Sequence, residues 1–192
     1  MGSNIADANT IKLKPTDKLL FDCNVLMYIF YTYGQYCKNQ ISIYQSLFKE
    51  AIKKSCEMYI PSIEISEFIN TYIRNEYNRY LREKNLHRKC FDFKHNYRVT
   101  KDYEITINDI KTIVNRQILS FFQKLDDNFS QLDISNIYDV PNQFDFNDRY
   151  YYKLAEKHSL IIITNDSDFS YSDGNVKIIT ANHQLLTNSC NT

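Results

Sequence analysis

Glycine and proline are scarce in this chain of 192 residues, which has three of each. Because these two residues mark turns and interrupt helices and strands, their scarcity predicts a chain that is mostly regular structure. It also argues against a glycine-rich loop that would wrap around the phosphates of a nucleotide, since such loops need several glycines close together. A doubly wound domain that binds phosphorylated small molecules through such a loop is therefore disfavoured.

Metal-binding cysteine pairs and long apolar runs are also missing. None of the five cysteines forms a CxxC pair, which argues against a zinc site. Their odd number and the lack of a signal peptide favour reduced thiols in the cytoplasm. No apolar run approaches the roughly 20 residues that span a membrane, so we expect no membrane segment. The cysteines are Cys23, Cys37, Cys56, Cys90 and Cys190.

The chain has no net charge, because its 23 basic residues are balanced by 23 acidic residues. Bulk charge therefore neither favours nor excludes a nucleic acid partner. The length fits one domain with a substantial core. We expect residues 1–16 to be a disordered or tag-like N-terminus and residues 17–192 to form that single domain.

A short apolar run, Leu160 to Ile163, is followed by two closely spaced carboxylates, Asp166 and Asp168. A β-branched run bounded by turn residues predicts a strand buried on both faces, as in parallel sheets covered by helices. Ligands of such sheets bind beyond the carboxyl ends of the strands. The two aspartates are therefore candidates for a functional site.

Two more acids lie where a predicted strand meets a helix. Asp22 follows the apolar run Leu19–Phe21, and by itself it is explained by the preference of aspartate for helix N-caps. The next helix begins at Pro61 after a predicted strand, Cys56–Ile60. Glu64 in its first turn is explained by the helix macrodipole. Glu67 is deeper in this helix, beside the apolar face, and is the better candidate for a site.

Asp148 lies in the first turn of another predicted helix, for which Asn147 is the expected N-cap. Residues 126–173 hold ten acidic against three basic residues. Carboxylates gathered in one cleft repel each other unless a cation lies among them. Oxygen ligands, with no thiol or imidazole at metal-binding spacing, favour Mg²⁺ or Mn²⁺ over zinc. The candidate metal ligands are Asp22, Glu67, Asp148, Asp166 and Asp168.

Residues 72–101, which we call the basic segment, hold nine basic against three acidic residues and many aromatic side chains. Basic groups neutralise phosphates and aromatic rings stack on unpaired bases, so the mixture suits single-stranded nucleic acid. The alternative is a solvated surface whose aromatic side chains belong to the core. Beyond it, the pattern predicts a helix over Ile105–Phe129, a short strand or extended segment over Ile137–Val140 and a short strand over Val176–Ile179.

The chain contains four short motifs, in the order FDCNVL (Phe21–Leu26), PSIEISEF (Pro61–Phe68), NDxxYYxLA (Asn147–Ala155) and IITNDSDF (Ile162–Phe169). As an ordered set, they resemble the motifs of the PIN-domain ribonucleases. The resemblance covers roughly residues 18–179, and the TNDSDF element is its most telling part.

This resemblance implies an α/β fold, a three-layer α/β/α domain with a central, mainly parallel sheet of four to five strands. It implies an acidic pocket that binds Mg²⁺ or Mn²⁺ and cuts single-stranded RNA. Asp22, Glu67, Asp148 and Asp166 match the four acids of the family in order, and Asp168 matches an acid often present beside the fourth.

The resemblance also implies supporting residues and partners. Asn24 and Thr164 match polar positions that commonly support the acidic site. Many bacterial members are toxins of VapC type, which a small antitoxin protein holds inactive and which are usually homodimers. The chain departs from these compact toxins by a longer, basic helical or loop insertion at about residues 77–103.

The function expected from the sequence is that of a metal-dependent endoribonuclease that hydrolyses single-stranded or structured RNA. Asp22, Asp148 and Asp166 are the expected main metal ligands. Glu67 is expected to bind the metal through water, or to orient and deprotonate the attacking water. The expected hydrolysis leaves a 3′-hydroxyl and a 5′-phosphate. The alternative is a PIN-like module that binds RNA or protein without cutting.

Overall fold

The computed structural model describes residues 4–127, 129–138, 145–171 and 175–188. Its centre is a six-stranded sheet, composed of β1 (Ile5–Asp7), β2 (Lys18–Phe21), β3 (Glu57–Pro61), β4 (Gln123–Leu125), β5 (Ile161–Ile163) and β6 (Ile178–Thr180). The strands lie in the order β1-β6-β5-β2-β3-β4, and all neighbouring pairs are parallel. The predicted α/β class is confirmed, with six strands in place of the expected four to five.

Helices connect the strands. They are α1 (Cys23–Phe30), α2 (Lys38–Lys53), α3 (Ser62–Glu83), α4 (Lys101–Ile113), α5 (Leu119–Phe121), α6 (Ile134–Tyr138), α7 (Phe146–His158) and α8 (His183–Asn188). A π-helical turn, Val114–Ile118, joins α4 to α5, and 3₁₀ turns cover Tyr97–Val99, Phe129–Gln131 and Ser167–Tyr171. In the described ranges, no helix combines the length and the apolar character needed to cross a membrane.

The three layers follow from alternation along the buried strands. Leu19 and Phe21 of β2 belong to one core cluster, together with residues of α1, α2, α3 and α4. Leu20, between them, belongs to a second cluster with Tyr151 and Ala155 of α7 and with residues of α8. Because successive side chains of a strand point to opposite faces, one strand contributes to both cores. The sheet is therefore covered by helices on both sides.

The two strands missing from the prediction lie at the edges of the sheet. β1 falls within residues 1–16, which we expected to be disordered or tag-like, and it pairs with β6, with Ile5 opposite Ile178. β4 falls within the predicted helix Ile105–Phe129 and pairs with β3, with Tyr59 opposite Gln123. Three residues are too few to show an alternating pattern, so only the pairing with a distant strand defines each one. Residues 1–3 lie outside the described ranges.

The prediction of a short strand or extended segment over Ile137–Val140 is wrong where the structure describes it. Ile137 lies in α6 and is buried, while residues 139 and 140 are outside the described ranges. The helix has a local cause, because the carboxylate of Asp133 accepts the backbone N–H of Ser135 at 2.9 Å. A side-chain acceptor just before the first turn satisfies N–H groups that would otherwise lack partners.

In the basic segment, the aromatic side chains form a small core of their own. Tyr77 and Tyr97 are buried, and the Tyr77 ring centroid lies 5.2 Å from that of Tyr97 and 5.3 Å from that of Phe93. Tyr80 stacks on Phe91 at 5.6 Å. These contacts attach the loop after α3 to the C-terminal half of that helix. For the aromatic side chains, the interpretation as core residues is therefore confirmed.

Candidate functional site

Asp22 and Thr164 lie side by side because β2 and β5 are paired. Phe21 is opposite Ile163, and the backbone N–H of Asp22 donates to the carbonyl oxygen of Ile163 at 3.0 Å. From β2 the chain proceeds to β3 on one side of the sheet and later returns to β5 on the other. Parallel sheets bind ligands at such a switch point, beyond the carboxyl ends of the strands. Both residues occupy that position.

The side chain of Asp22 is held in one orientation by its neighbours. The hydroxyl of Thr164 and the amide of Asn24 both donate to Asp22 Oδ2. Thr164 Oγ1 in turn accepts the backbone N–H of Asp166 at 2.9 Å, and Asn24 Oδ1 accepts that of Asn165 at 3.1 Å. The structure thus connects Asp22 to the loop that carries Asp166. Asn24 and Thr164 are the two polar residues that make this connection.

Tyr44 of α2 holds the same loop through hydrogen bonds of its hydroxyl group, a role that no sequence pattern indicated. Its ring is fully buried, and its hydroxyl donates to the carbonyl oxygen of Thr164 at 2.9 Å. The hydroxyl also accepts the backbone N–H of Ala181 at 2.9 Å. One phenol therefore joins the ends of β5 and β6. The loop with Asp166 rests on a rigid buried contact.

Glu64 and Glu67 both reach the site from the start of α3. Glu64 is only 3% exposed, and its Oε2 has no hydrogen-bond partner in the described part of the chain. Burial raises the pKa of Glu64 well above its ordinary value, and the charges of Asp22, Glu67 and Asp148 raise it further. Glu67 is half-buried, and burial, with the charges of Asp145 and Asp166, raises its pKa as well. In the sequence, Glu64 is explained by the helix dipole, although it lies one helical turn from Glu67.

Asp148 lies in the first turn of α7, next to a cap that differs from the predicted one. Asp145, not Asn147, caps the helix, since its carboxylate accepts the backbone N–H of Asp148 at 3.0 Å. Aspartate is a favoured N-cap whose carboxylate accepts an N–H two or three residues further on, so this signal was present in the sequence. Burial and the charge of Asp145 raise the pKa of Asp148 to about 7, and the charges of Asp22, Asp166 and Glu67 add to the effect.

The carboxylates act on one another electrostatically. Burial raises the pKa of Asp22 from 3.8 to about 7. The hydrogen bond from Thr164 opposes this shift, while the charges of Glu67 and Asp166 add to it. Burial also raises the pKa of Asp168, and the charge of Asp166 contributes to that shift. The structure thus brings acids from four separate segments of the chain close enough to repel each other.

Asp166 and Asp168 occupy different positions in their shared turn. Asp166 Oδ1 accepts the backbone N–H of Asp168 at 3.0 Å, so the first carboxylate closes the turn that displays the second. The charge of Asp166 raises the pKa of Asp22, of Glu67 and of Asp148. Asp168 is not among the main causes of these three pKa shifts. Asp166 is therefore the more central of the two.

The donor set matches a hard divalent cation in its chemistry. The candidate ligands are all carboxylates, which Mg²⁺ and Mn²⁺ prefer, and Glu64 Oε2 is a buried oxygen without a partner among the described residues. Across the described ranges, no three His, Cys, Asp or Glu side chains are already spaced to hold a metal ion. The match therefore rests on the type of donor and on the unpartnered oxygen.

The comparisons with known proteins support the fold. No family model matches the chain, and no curated protein matches it. Among solved structures, it is similar to VapBC2 from Rickettsia felis bound to a DNA fragment from their promoter. The TM-score is 0.51 at 13% identity, and the alignment covers 85% of this chain and 98% of the other. Together with the parallel sheet and its two helical layers, this likeness shows a PIN-like three-layer α/β/α fold.

Proposed function

We propose that this protein is a metal-dependent endoribonuclease that hydrolyses phosphodiester bonds of single-stranded RNA. The observation that carries the proposal is the convergence of Asp22, Glu67, Asp148 and Asp166 at the carboxyl ends of the central strands. Each comes from a different segment of the chain, and the first three have raised pKa values. Buried carboxylates that repel one another are unfavourable for folding, so their presence at one point calls for a ligand that compensates them.

In this proposal, Asp22, Asp148 and Asp166 would hold Mg²⁺ or Mn²⁺, with Asp168 as an outer ligand and Glu64 as an additional carboxylate. The bound ion would supply a Lewis acid for the phosphate and lower the pKa of water. Asn24 and Thr164 keep Asp22 in place through their hydrogen bonds to Oδ2.

Glu67 is suited to orient the attacking water and take its proton. It is half-buried, so one part of its side chain faces solvent. Its raised pKa brings the carboxylate closer to neutral pH, where a general base is most effective. In this proposal the three aspartates bind the ion, and Glu67 transfers the proton.

A small antitoxin protein and a second copy of this chain are the proposed protein partners. The supporting observation is the fold, which is similar to VapBC2, a protein solved with a DNA fragment from their promoter. The resemblance to toxins of VapC type points the same way. An antitoxin would hold the nuclease inactive until RNA cleavage is required.

The direct test is an assay of the purified protein on a labelled single-stranded RNA. We expect cleavage with Mg²⁺ or Mn²⁺ and its loss in EDTA, because the acids need the ion to hold the phosphate. Equal cleavage in EDTA would contradict the proposal. RNA binding that survives chelation without any cleavage would instead support the alternative, a non-catalytic PIN-like binding module.

Metal binding should also change the pH dependence of stability, without any substrate. The raised pKa values of Asp22 and Asp148 mean that the folded protein keeps protons which the unfolded chain has released. The metal-free protein is therefore expected to lose stability as the pH rises from about 4 through about 7. Mg²⁺ at about 100 times its Kd should raise Tm by about 5–10 °C at pH 8.

At pH 5 the gain from Mg²⁺ should be much smaller, because protons compete with the ion for the same carboxylates. Thermal unfolding with and without Mg²⁺ at the two pH values measures both effects. The Asp109→Asn variant, which changes an exposed carboxylate on α4, is the control and should respond like the original protein. A gain from Mg²⁺ that is the same at pH 5 and pH 8 would contradict carboxylate binding.

A further inference from the structure

A cavity of about 630 Å³ lies beside α3, between this helix and the loop of the basic segment. Four of its lining side chains are cationic and exposed, and two are amides. Among the residues that the structure describes, no carboxylate lines it. The polar lining residues are Asn70, Arg74, Asn78, Arg88, Lys94 and Arg98.

The cavity is a built feature, because packing holds its walls. Tyr77 and Phe93 line it, and the hydroxyl of Tyr77 donates to the carbonyl oxygen of Phe91 across the loop. The guanidinium of Arg98 lies 5.0 Å from the ring centroid of Phe93. Arg88 donates to the side-chain oxygen of Asn78. The cationic groups are thus presented by the aromatic core of the basic segment.

The acids of the basic segment do not neutralise these cations. Glu76 is buried and accepts hydrogen bonds from Tyr31 and Arg79, and Glu83 pairs with Arg79 as well. The carboxylate of Asp92 accepts the backbone N–H of residues 94 and 95. Within the described ranges, the four cationic side chains of the cavity have no salt bridge. Their charge is therefore left for an anion from outside.

The position of the cavity relates it to the acidic site. Glu67, Asn70, Arg74 and Asn78 follow one another at steps of three or four residues, so they lie on one face of α3. With a rise of 1.5 Å per residue, Arg74 lies about 10 Å and Asn78 about 16 Å along the helix from Glu67. A chain of phosphates running along this face would pass from the acids to the cations within a few nucleotides.

We infer that this cavity binds the phosphates of single-stranded RNA a few nucleotides from the bond that is cut. The inference rests on the proposed function, which makes RNA the anion that reaches the acids at the start of α3. The subsite sets a minimum length for a good substrate. An RNA too short to extend from the acids to Arg74 and Arg98 loses these contacts and gains nothing from the cavity.

The test uses the full chain with Arg74→Gln and Arg98→Gln combined, since both side chains are exposed and, among the described residues, the only aromatic contact that the change removes is that of Arg98 with the Phe93 ring. Binding of a labelled RNA of about 16 nucleotides is measured by fluorescence anisotropy in EDTA, where no cleavage interferes. We expect affinity to fall at least about tenfold. The slope of log K against log salt should decrease by about 1.4, which corresponds to two phosphate contacts on a single strand.

Cleavage in Mg²⁺ provides the second measurement. We expect the double variant to cut an RNA of about 4 nucleotides as fast as the original protein, and the long RNA with a higher KM and the same kcat. The control is Lys49→Gln combined with Lys111→Gln, which removes the same charge from exposed positions on α2 and α4. It should leave the salt dependence unchanged apart from a small effect of net charge.

The outcomes separate this inference from the proposed function. RNA binding that depends on Arg74 and Arg98 supports the subsite even if no cleavage is found, in which case only the nuclease proposal fails. Cleavage with unaltered long-RNA binding in the double variant overturns the subsite and leaves the nuclease. An equal loss in the lysine control also overturns it. Retained RNA binding with lost binding of polyglutamate would show that the cavity takes an acidic polypeptide instead.

Discussion

Replacing Asp22 by asparagine is expected to lower the rate of RNA cleavage at least about 100-fold, because changes to groups that merely support metal ligands already cost 10–100-fold. Asp22 lies at the switch point of the sheet and is proposed as a direct ligand. The amide oxygen of asparagine can still accept the hydrogen bonds from Asn24 and Thr164. The fold should therefore persist, and the loss should come from the missing charge.

The measurement is a single-turnover cleavage rate with saturating enzyme in Mg²⁺, with a melting curve for each variant. Asp109→Asn provides the matched control, because it makes the same chemical change on the exposed surface of α4. It should retain the original rate within experimental error. Full activity of Asp22→Asn would remove this residue from the proposed site, and a variant that is unfolded would show it in the melting curve.

The sequence was enough to predict that Asp22 and Asp166 lie close together, for a physical reason. Both follow short buried runs of apolar residues, and the carboxyl ends of parallel strands lie at one edge of a sheet. The register confirms this arrangement, with Phe21 opposite Ile163. Once two such strands are neighbours, the residues that follow them must be close. The sequence pattern alone, without the pairing, leaves Asp22 as a helix cap.

Other parts of the fold had no local signal. β1 and β4 have three residues each and lie at the edges of the sheet, where pairing with a distant strand decides the conformation. Tyr44 joins the ends of β5 and β6 through its hydroxyl, yet in sequence it is one of the 16 tyrosines of the chain, placed on an amphipathic helix. Contacts between residues that are far apart in the chain are invisible to periodicity.

The basic segment shows how composition separates into two roles. Its aromatic side chains suggested stacking on bases, but Tyr77 and Tyr97 are used to hold the loop on α3. Four of its nine basic side chains line a common cavity. The sequence predicts an excess of positive charge there, whereas the direction of each side chain depends on the packing of the loop. Positive charge and aromatic rings both suggested nucleic acid binding, and the inferred subsite uses the positive charge.

The second large effect, on stability, is expected at Glu64, the acid that the helix dipole explains in the sequence. Replacing it by glutamine is expected to stabilise the metal-free protein at neutral and higher pH. The folded protein keeps a proton on this buried carboxyl group, while the unfolded chain releases it above its ordinary pKa of 4.5. Stability is therefore lost as the pH rises, by up to about 1.4 kcal/mol for each pH unit. Glutamine has no proton to release and avoids this loss.

The difference in unfolding free energy between Glu64→Gln and the original protein should be small near pH 4.5 and should grow as the pH rises in EDTA, by up to about 1.4 kcal/mol for each pH unit. Urea unfolding at several pH values measures it. Glu104→Gln, an exposed glutamate of α4, is the control and should stay within about 0.5 kcal/mol of the original at every pH. If Glu64 takes part in metal binding, the variant should also lose most of the gain from Mg²⁺ at pH 8. A variant that is less stable than the original across this range would contradict this prediction. It would show that the carboxylate of Glu64 has favourable partners in the folded protein and does not need a cation to compensate it.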